Sequence, residues 1–433
     1  MPRTVHIIGA GLAGLSAAVR LAAAGHRVVV HEATGFAGGR CRSYHDAAVG
    51  MTIDNGNHLL LSGNHAALEF LRTIGSAHRL IGPPAAEFPF LDLKSGARWI
   101  LRLNEGRLPL WIFNPWRRVP GTQALNYLTM APLLWPKPNE TVGETIACKG
   151  PLYSGLVEPL LLAALNIDPP QGSAKLAGAV IRETLAAGGR ACRPLIARDG
   201  LAPTMIEPAV EFLGKSGATV RLEHQLRAMR FDGGRVAALD FGDDSVALGE
   251  GDAVILAVPP YAAASLLPGL TVPTEFRAIV NAHFRIEPPP AQPPILGVLN
   301  STTQWIFAFP GRLSVTVSAG DALLDTPREQ LARSIWAEVA AAAALPAELA
   351  AALPPWQIVR ERRATFAATP AQDQRRPDAR TARRNLLLAG DWTNTGLPAT
   401  IEGAIRSGNR AAELLAANTP LTTAPKIPPM IPP

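Results

Sequence analysis

The sequence predicts an α/β fold, in which a Rossmann-type dinucleotide-binding domain (glutathione-reductase-like) is interrupted by a second, mixed and helix-rich domain. Three observations carry this. "VHIIGAGLAG" joins a short apolar strand, Val5 to Ile8, to a Gly-x-Gly-x-x-Gly turn at Gly9, Gly11 and Gly14. Helical apolar spacing follows from Leu15 to Ala24, Gly25 stops it, and "RVVVHEA" supplies a second strand ending at Glu32. A second strand–loop–helix pattern, "NLLLAGDWTNTGLPATIEGAIRSG", comes close to the other end. A chain of 433 residues is too long for one simple core and suggests two domains.

The opening βαβ unit gives each small residue a reason. Gly9 permits a tight turn, and Gly11 lets the backbone approach a pyrophosphate. Leu12 and Ala13 open the helix whose N-terminus faces that group, and Gly14 allows helix and strand to pack closely. Glu32, 18 residues past Gly14, is placed to accept hydrogen bonds from a ribose and disfavours a 2′-phosphate. The plain alternative is a glycine-rich turn without a ligand. The strand before it, the helix after it and the acid at the next strand end all weigh against that.

Further along, the texture changes. From Pro83 to Pro138, prolines and the tryptophans Trp99, Trp111, Trp116 and Trp135 punctuate apolar segments that also carry Arg117 and Arg118. With helical spacing over Val142–Leu165 and Ser173–Ala187, this predicts a separate, largely helical, apolar domain. "LAPTMIEPAVEFLGKSGATVRL" reads as helix, glycine stop, strand, and "MRFDGGRVAALDF" as a hairpin around Asp-Gly-Gly. Asp252–Pro260, Ser314–Ser318 and Ile358–Phe366 read as strands. The alanine-rich run around Ala340 and "ELAAALPP" read as helix, and Ile401–Leu415 as the last helix. The resulting division gives the dinucleotide domain residues 1–82, 198–265 and 381–417, and the substrate domain 83–197 and 266–380. A Pro- and Thr-rich tail, 418–433, is expected to be disordered.

Composition narrows the classes. Hydrophobic residues make up 48% and charged ones 18%, enough for a large core and some apolar surface. The formal charge of +6 suits an anionic membrane surface or a phosphate-bearing cofactor. No basic block interleaved with aromatics points to nucleic acid. Cys41, Cys148 and Cys192 have neither metal spacing nor a disulfide pattern, so no metal is expected and a reducing compartment is. "MPRT" runs straight into a strand, and no window of about 18 apolar residues exists, so the expected place is the cytoplasm.

"GGRCRS", Gly38 to Ser43, adds two glycines and a cation just beyond the second strand. Gly38 and Gly39 bring backbone N–H groups close to a pyrophosphate, and Arg40 supplies charge-assisted bonds. This arrangement resembles the FAD-binding amine oxidase and carotenoid desaturase superfamily, and "LLLAGDWTNTGLPATIEGAIRSG" resembles that superfamily's second flavin motif. The resemblance implies non-covalent FAD. It places Gly390 and Asp391 at a ribityl hydroxyl and aims the helix starting at Thr400 or Ile401 at the flavin pyrimidine edge. It also puts Leu226 of "TVRLEHQL" beside adenine. In "TIDNGNHLLLSG", Thr52 to Gly63, the resemblance sets Gly56, Asn57 and His58 along the isoalloxazine ring. His58 is then the expected catalytic acid, and Asp54 either orients it or caps a turn. The alternative for His58 is a structural histidine satisfied by backbone.

"DNGNHLLLSGN" together with "GDWTNTGLPATIEGA" resembles the squalene-associated FAD-dependent desaturases, the hydroxysqualene dehydroxylases of hopanoid clusters. That implies reduction of hydroxysqualene to squalene by protonation, loss of water and hydride transfer. A long-chain isoprenoid is the expected substrate and a membrane inner face the expected peripheral partner. The flavin's electron donor is not identified; contact with upstream squalene-pathway enzymes is an open expectation. Three other readings stay open: a polyprene desaturase, an amine oxidase, and a prenyl-lipid escort protein without flavin chemistry. No lysine lies between Lys215 and Lys426, which counts against the amine oxidase.

Overall fold

The computed structural model describes residues 4–417; the tail expected to be disordered lies outside them. Two sheets organise the chain. The first is wholly parallel, with five strands in the order Thr219–Arg221, Arg27–His31, Thr4–Ile8, Ala253–Leu256 and Leu386–Leu388. Its strands are largely apolar on both faces, as strands buried on both faces tend to be, with His6 and His31 the buried polar exceptions. Val5, Ile7, Val28, Val30, Ile255 and Leu387 pack against helices Leu12–Ala23, Glu207–Lys215 and Ile401–Ala417. Ile8, Val254, Leu256, Leu386 and Leu388 face the antiparallel meander Ala228–Asp232, Arg235–Asp240 and Ser245–Ala247.

The second sheet has seven strands in the order Trp356–Phe366, Phe276–Arg285, Arg312–Val317, Trp305–Phe309, Ile295–Leu299, Glu87–Asp92 and Arg98–Arg102. All neighbours are antiparallel except Ile295–Leu299 with Glu87–Asp92. Period-two alternation divides its faces. Val280, Phe284, Ile306, Leu313, Val315 and Val317 bury against helix Arg328–Ala342, which offers Leu331, Ile335, Trp336 and Val339 at helical spacing. The opposite face carries Asn281, His283, Ser314 and Thr316, all buried and polar, and turns toward the dinucleotide half.

The Pro83–Pro138 region is not helical as the sequence suggested. It opens with the strands Glu87–Asp92 and Arg98–Arg102, which share the seven-stranded sheet with residues 276–366. It continues in tight 3-10 turns, Leu110–Phe113 and Ala124–Leu134. Its prolines forbid long α-helix, and local apolar richness does not distinguish strand from helix. Val142–Leu165 also divides, into Val142–Thr145 and Tyr153–Leu165 around Gly150 and Pro151. Strand Pro194–Ala197 pairs with Leu59–Leu61 and Leu80–Ile81, tying the stretch after the dinucleotide unit to the segment that returns to it.

Candidate cofactor site

The glycine turn is shaped by near contacts. Gly9 has φ +105°, and a Cβ there would stand 2.5 Å from the Ala257 carbonyl oxygen. A Cβ on Gly14 would stand 1.9 Å from the Gly9 oxygen, so only glycine lets the helix approach its own strand. A Cβ on Gly11, by contrast, would meet nothing within 4 Å. Gly11 also caps helix Leu12–Ala23 without a side-chain bond, so no side chain satisfies its first N–H groups. That combination suits an anionic group at the helix N-terminus.

Glu32 follows the second strand. Its carboxylate accepts from Ala10 N–H at 2.8 Å and from the Thr34 backbone and hydroxyl at 3.0 Å. The Leu226 segment passes beside it, with His224 N–H donating to the Glu32 carbonyl at 2.7 Å, and Leu226 itself is buried. Gly38 and Gly39, both at positive φ, lie across the turn: Gly38 N–H donates to Ala10 O at 2.8 Å, and Gly38 bridges Gly11 in register. Arg40 then reaches the other end of the chain. Its guanidinium donates to both Asp391 carboxylate oxygens, at 2.7 and 2.8 Å, and to Ala364 O.

Asp391 sits on a loop fixed from below. Gly390 N–H donates to Ser407 Oγ at 2.8 Å, and Trp392 Nε1 to Val258 O at 2.9 Å. Thr400 Oγ1 accepts Gly403 N–H at 3.0 Å and caps helix Ile401–Ala417. Sequence reasoning missed Arg376. Its side chain is fully buried and donates to Asp373, the carbonyls of Asp391 and Thr393, and Thr395 Oγ1. It lies over the Phe366 ring at 4.8 Å, and Asp373 is shared with Lys175. Nothing in "AQDQRRPDAR" distinguishes this arginine from its neighbours. Glu402 is buried and structural: it accepts Ala66 and Ala67 N–H at the start of helix His65–Thr73, and Arg406 Nε.

Asp54 to His58 lies between the two sheets. Asn57 N–H approaches Asn281 Oδ1 at 3.4 Å, and its amide donates to Val315 O and Thr316 Oγ1 at 3.3 and 3.2 Å. Thr316 in turn donates to Asn281, whose amide reaches Asn55 O. Asn55 bonds Glu361 at 3.2 Å. Asn57 Oδ1 is left buried without a partner, an acceptor available to a donor on a bound ring. The signal for Asn281 was present in "FRAIVNAHFR", where two polar residues interrupt an apolar strand.

Asp54 and His58 depart from the catalytic pairing the sequence suggested. Asp54 Oδ1 accepts from Ser43 at 2.5 Å and from Leu201 N–H at 2.9 Å, so its bonds hold the turn at Gly200 rather than His58. His58 Nδ1 lies 3.0 Å from Gly56 O, a bond that requires the proton on Nδ1. Burial lowers its pKa below 6.5. In the neutral ring that burial favours, this tautomer would leave Nε2 an acceptor. Burial likewise pushes the Cys41 and Cys192 thiols up to about 12, which keeps them protonated. Among the described residues no group of His, Cys, Asp and Glu is placed to hold a metal.

These features meet known proteins at every level. The family profile of the flavin containing amine oxidoreductases matches residues 12–416. Hydroxysqualene dehydroxylase of Rhodopseudomonas palustris is 62% identical, with 96% of this chain and 99% of the relative covered. The enzymes of that name from Sinorhizobium fredii and Zymomonas mobilis are 59% and 47% identical, covering 97% and 94% of this chain and 100% and 98% of theirs. Among solved structures, cyclohexylamine oxidase of Brevibacterium oxydans superposes with a TM-score of 0.68 at 17% identity, covering 96% of this chain and 99% of that one. An oxidoreductase of Methanosarcina mazei gives 0.68 at 14%, covering 95% and 100%. The chain thus belongs to the flavin containing amine oxidoreductases.

Proposed function

We propose that this chain is an FAD-dependent oxidoreductase of squalene and hopanoid biosynthesis that reduces hydroxysqualene to squalene. The observation that carries the reading is identity of 47–62% with hydroxysqualene dehydroxylases over nearly the whole of both chains. The residues present fit FAD: an uncapped helix N-terminus beside open space at Gly11, and an orphaned buried acceptor at Asn57. When bound, reduced flavin supplies the hydride that replaces the departing hydroxyl.

The chain's own residues do the rest. Gly9, Gly11, Gly14 and the N–H groups of Leu12 and Ala13 receive the pyrophosphate, with Gly38, Gly39 and Arg40 over it. Glu32 and Leu226 border the adenosine, and Asp391 meets the ribityl chain. Thr400 and Ile401 turn the positive end of the last helix toward the pyrimidine edge, where it favours the reduced, anionic ring. Gly56, Asn57 and His58 wall the isoalloxazine. The binding is non-covalent, in keeping with thiols held protonated. With Nδ1 bonded to Gly56 O, His58 could deliver the hydroxyl's proton only from Nε2 of the charged ring, a form that burial disfavours.

The substrate has no aqueous solubility, which favours work at a membrane. Leu108, Leu110, Phe113, Trp116, Leu125, Leu128 and Trp135 are each 61–86% exposed. Between Arg107 and Lys137 there are four cations and no acid. Such a surface suits peripheral binding to an anionic inner face. No described helix is long and apolar enough to cross a membrane. Anaerobic incubation of the reduced protein with hydroxysqualene, followed by product analysis, tests the function. Squalene is the expected product; unchanged substrate beside fully reduced flavin would overturn the reading.

A further inference from the structure

One row of residues crosses the seven-stranded sheet. Asn281 stands opposite Thr316, Thr316 opposite Trp305, Trp305 opposite Gly297, Gly297 opposite Phe90, and Phe90 opposite Trp99. Directly opposed residues share a face, here the face toward the dinucleotide half. Asn281 and Thr316 are the residues that hold Asn57. From Thr316 to Trp99 the row spans four strand spacings, about 19 Å. Gly297 lets the aromatics close up: a Cβ there would stand 2.5 Å from the Phe90 ring and 3.2 Å from Trp305. Phe90 stacks on Trp99 at 5.5 Å and meets Trp305 edge-on at 5.7 Å.

At the far end the row forms one wall of a cavity of about 430 Å³, opposite helix Glu158–Leu165. Trp99, Trp305, Leu299, Leu162, Val119 and Pro120 supply hydrocarbon to its lining. Several polar residues of that lining are occupied with protein. Asp92 accepts Lys94 and Ser95 N–H, the Gln304 amide exchanges bonds with Ser318, and Ser154 Oγ donates to Gly150 O. Glu158 has its pKa raised, chiefly by burial, toward the uncharged acid. Val119 and Pro120 continue directly from the exposed Trp116 and the arginine pair behind it.

We propose that this cavity is the subsite for one distal prenyl arm of the substrate, floored by Trp305 and Trp99 and entered beside Val119 and Pro120. The proposal rests on the hydroxysqualene reading. In that substrate the hydroxyl lies near the middle of the chain, so an arm must run well away from the residues around Asn57. The row carries aromatic side chains over about the length of an extended three-isoprene arm; its polar end, Asn281 and Thr316, is bonded within the protein, while Trp99 Nε1 is already buried without a partner.

The test pairs two variants with opposite effects. Leu162→Trp fills the cavity and Trp99→Ala enlarges it, and flavin content shows that each is folded. The probes are hydroxysqualene and two analogues lacking one terminal isoprene unit, one on each arm. In the unsubstituted enzyme one analogue should have a KM roughly tenfold or more above that of hydroxysqualene. In Leu162→Trp the KM for hydroxysqualene should rise by a similar factor while that analogue's hardly moves, and kcat at saturation should stay within a few-fold. Trp99→Ala should weaken discrimination without reversing it. Squalene binding, read from the flavin absorbance change, supplies a measure independent of turnover, and Leu162→Trp should weaken it too. A KM ratio between hydroxysqualene and that analogue left undiminished in both variants, or a loss confined to kcat, overturns the subsite. Squalene binding that Leu162→Trp weakens, in an enzyme that never converts hydroxysqualene, would keep the subsite and overturn the functional reading instead. Absence of squalene binding altogether would overturn both.

Discussion

The glycine cradle and the Asp54–His58 stretch, which we propose border one flavin site, are held by opposite means. The cradle depends on missing side chains: at Gly9, Gly14 and Gly408 a Cβ would stand 2.5, 1.9 and 2.1 Å from a backbone oxygen. The stretch depends on side chains that are present, with Asn57 gripped by Asn281 and Thr316 across 224 and 259 positions of sequence. Backbone against backbone has nowhere to move, whereas an amide can rotate or hand its bond to water. The first region should therefore fail abruptly and the second by degrees.

The largest effect should come from Gly14→Ala. No flexible atom can yield to the new methyl, so overpacking here should reach or exceed the usual ~1–3 kcal/mol. Purified protein should lack flavin absorbance and melt well below the unsubstituted chain. A yellow Gly14→Ala protein of normal Tm would mean that the cradle gives way more easily than its contacts imply. Arg376→Met tests whether a side chain can behave like the cradle. It removes the buried cation beneath the Asp391 loop; breaking a buried pair costs up to about 3–5 kcal/mol, and the cost here should fall below that because Lys175 still pairs with Asp373. Urea unfolding should show that loss together with weaker flavin retention.

Burial lowers the pKa of several histidines, and most strongly of one in each sheet. Burial pushes His31, in the parallel sheet, and His283, in the seven-stranded sheet, down to about 3. Unfolded, each would take up a proton near ~6.5. Their contribution is thus complete above that pH and is lost as pH falls toward 3, because only the unfolded chain binds the proton. Tm measured from pH 7 to pH 4 should fall, and His31→Gln and His283→Gln should each flatten the fall. A slope untouched by either would place the acid sensitivity in other groups.

Asn281→Ala should be milder, at about 1–3 kcal/mol for partners left unpaired. The protein should remain yellow, with FAD dissociating more readily in a dialysis titration. Smallest of all should be His58→Ala. Since burial disfavours the charged ring, single-turnover oxidation of the reduced flavin by hydroxysqualene should slow only a few-fold. A drop of about 10²-fold or more would restore His58 as the general acid.

The same contrast explains what could be read from the chain. A cradle built from absent side chains must be written as glycines at fixed spacing, so Gly9, Gly11, Gly14, Gly38 and Gly39 were visible, as was the cation between them and Asp391. Strands Phe276–Arg285, Ile295–Leu299 and Trp305–Phe309 were not. Their pairing is non-local, and their short apolar runs match a buried helix as well as a strand. Glu87–Asp92 and Arg98–Arg102 were hidden by their prolines and tryptophans and taken as helical texture. Arg376 was out of reach because its role exists only once Asp373, Phe366 and the 391–395 loop are assembled around it.

The cradle helix Leu12–Ala23 is closed by the last helix of the described chain. Gly408 lets the two touch, and Ser16 Oγ donates to Ile405 O, 389 residues later. On the ribosome, at typical elongation rates, those residues are on the order of twenty to eighty seconds apart. Through that interval the helix face that packs on Ile401–Ala417 stays uncovered, and the edge where Leu386–Leu388 will pair with Ala253–Leu256 stays open. The dinucleotide cradle is therefore complete only once the helix Ile401–Ala417 has been made and has folded back onto it.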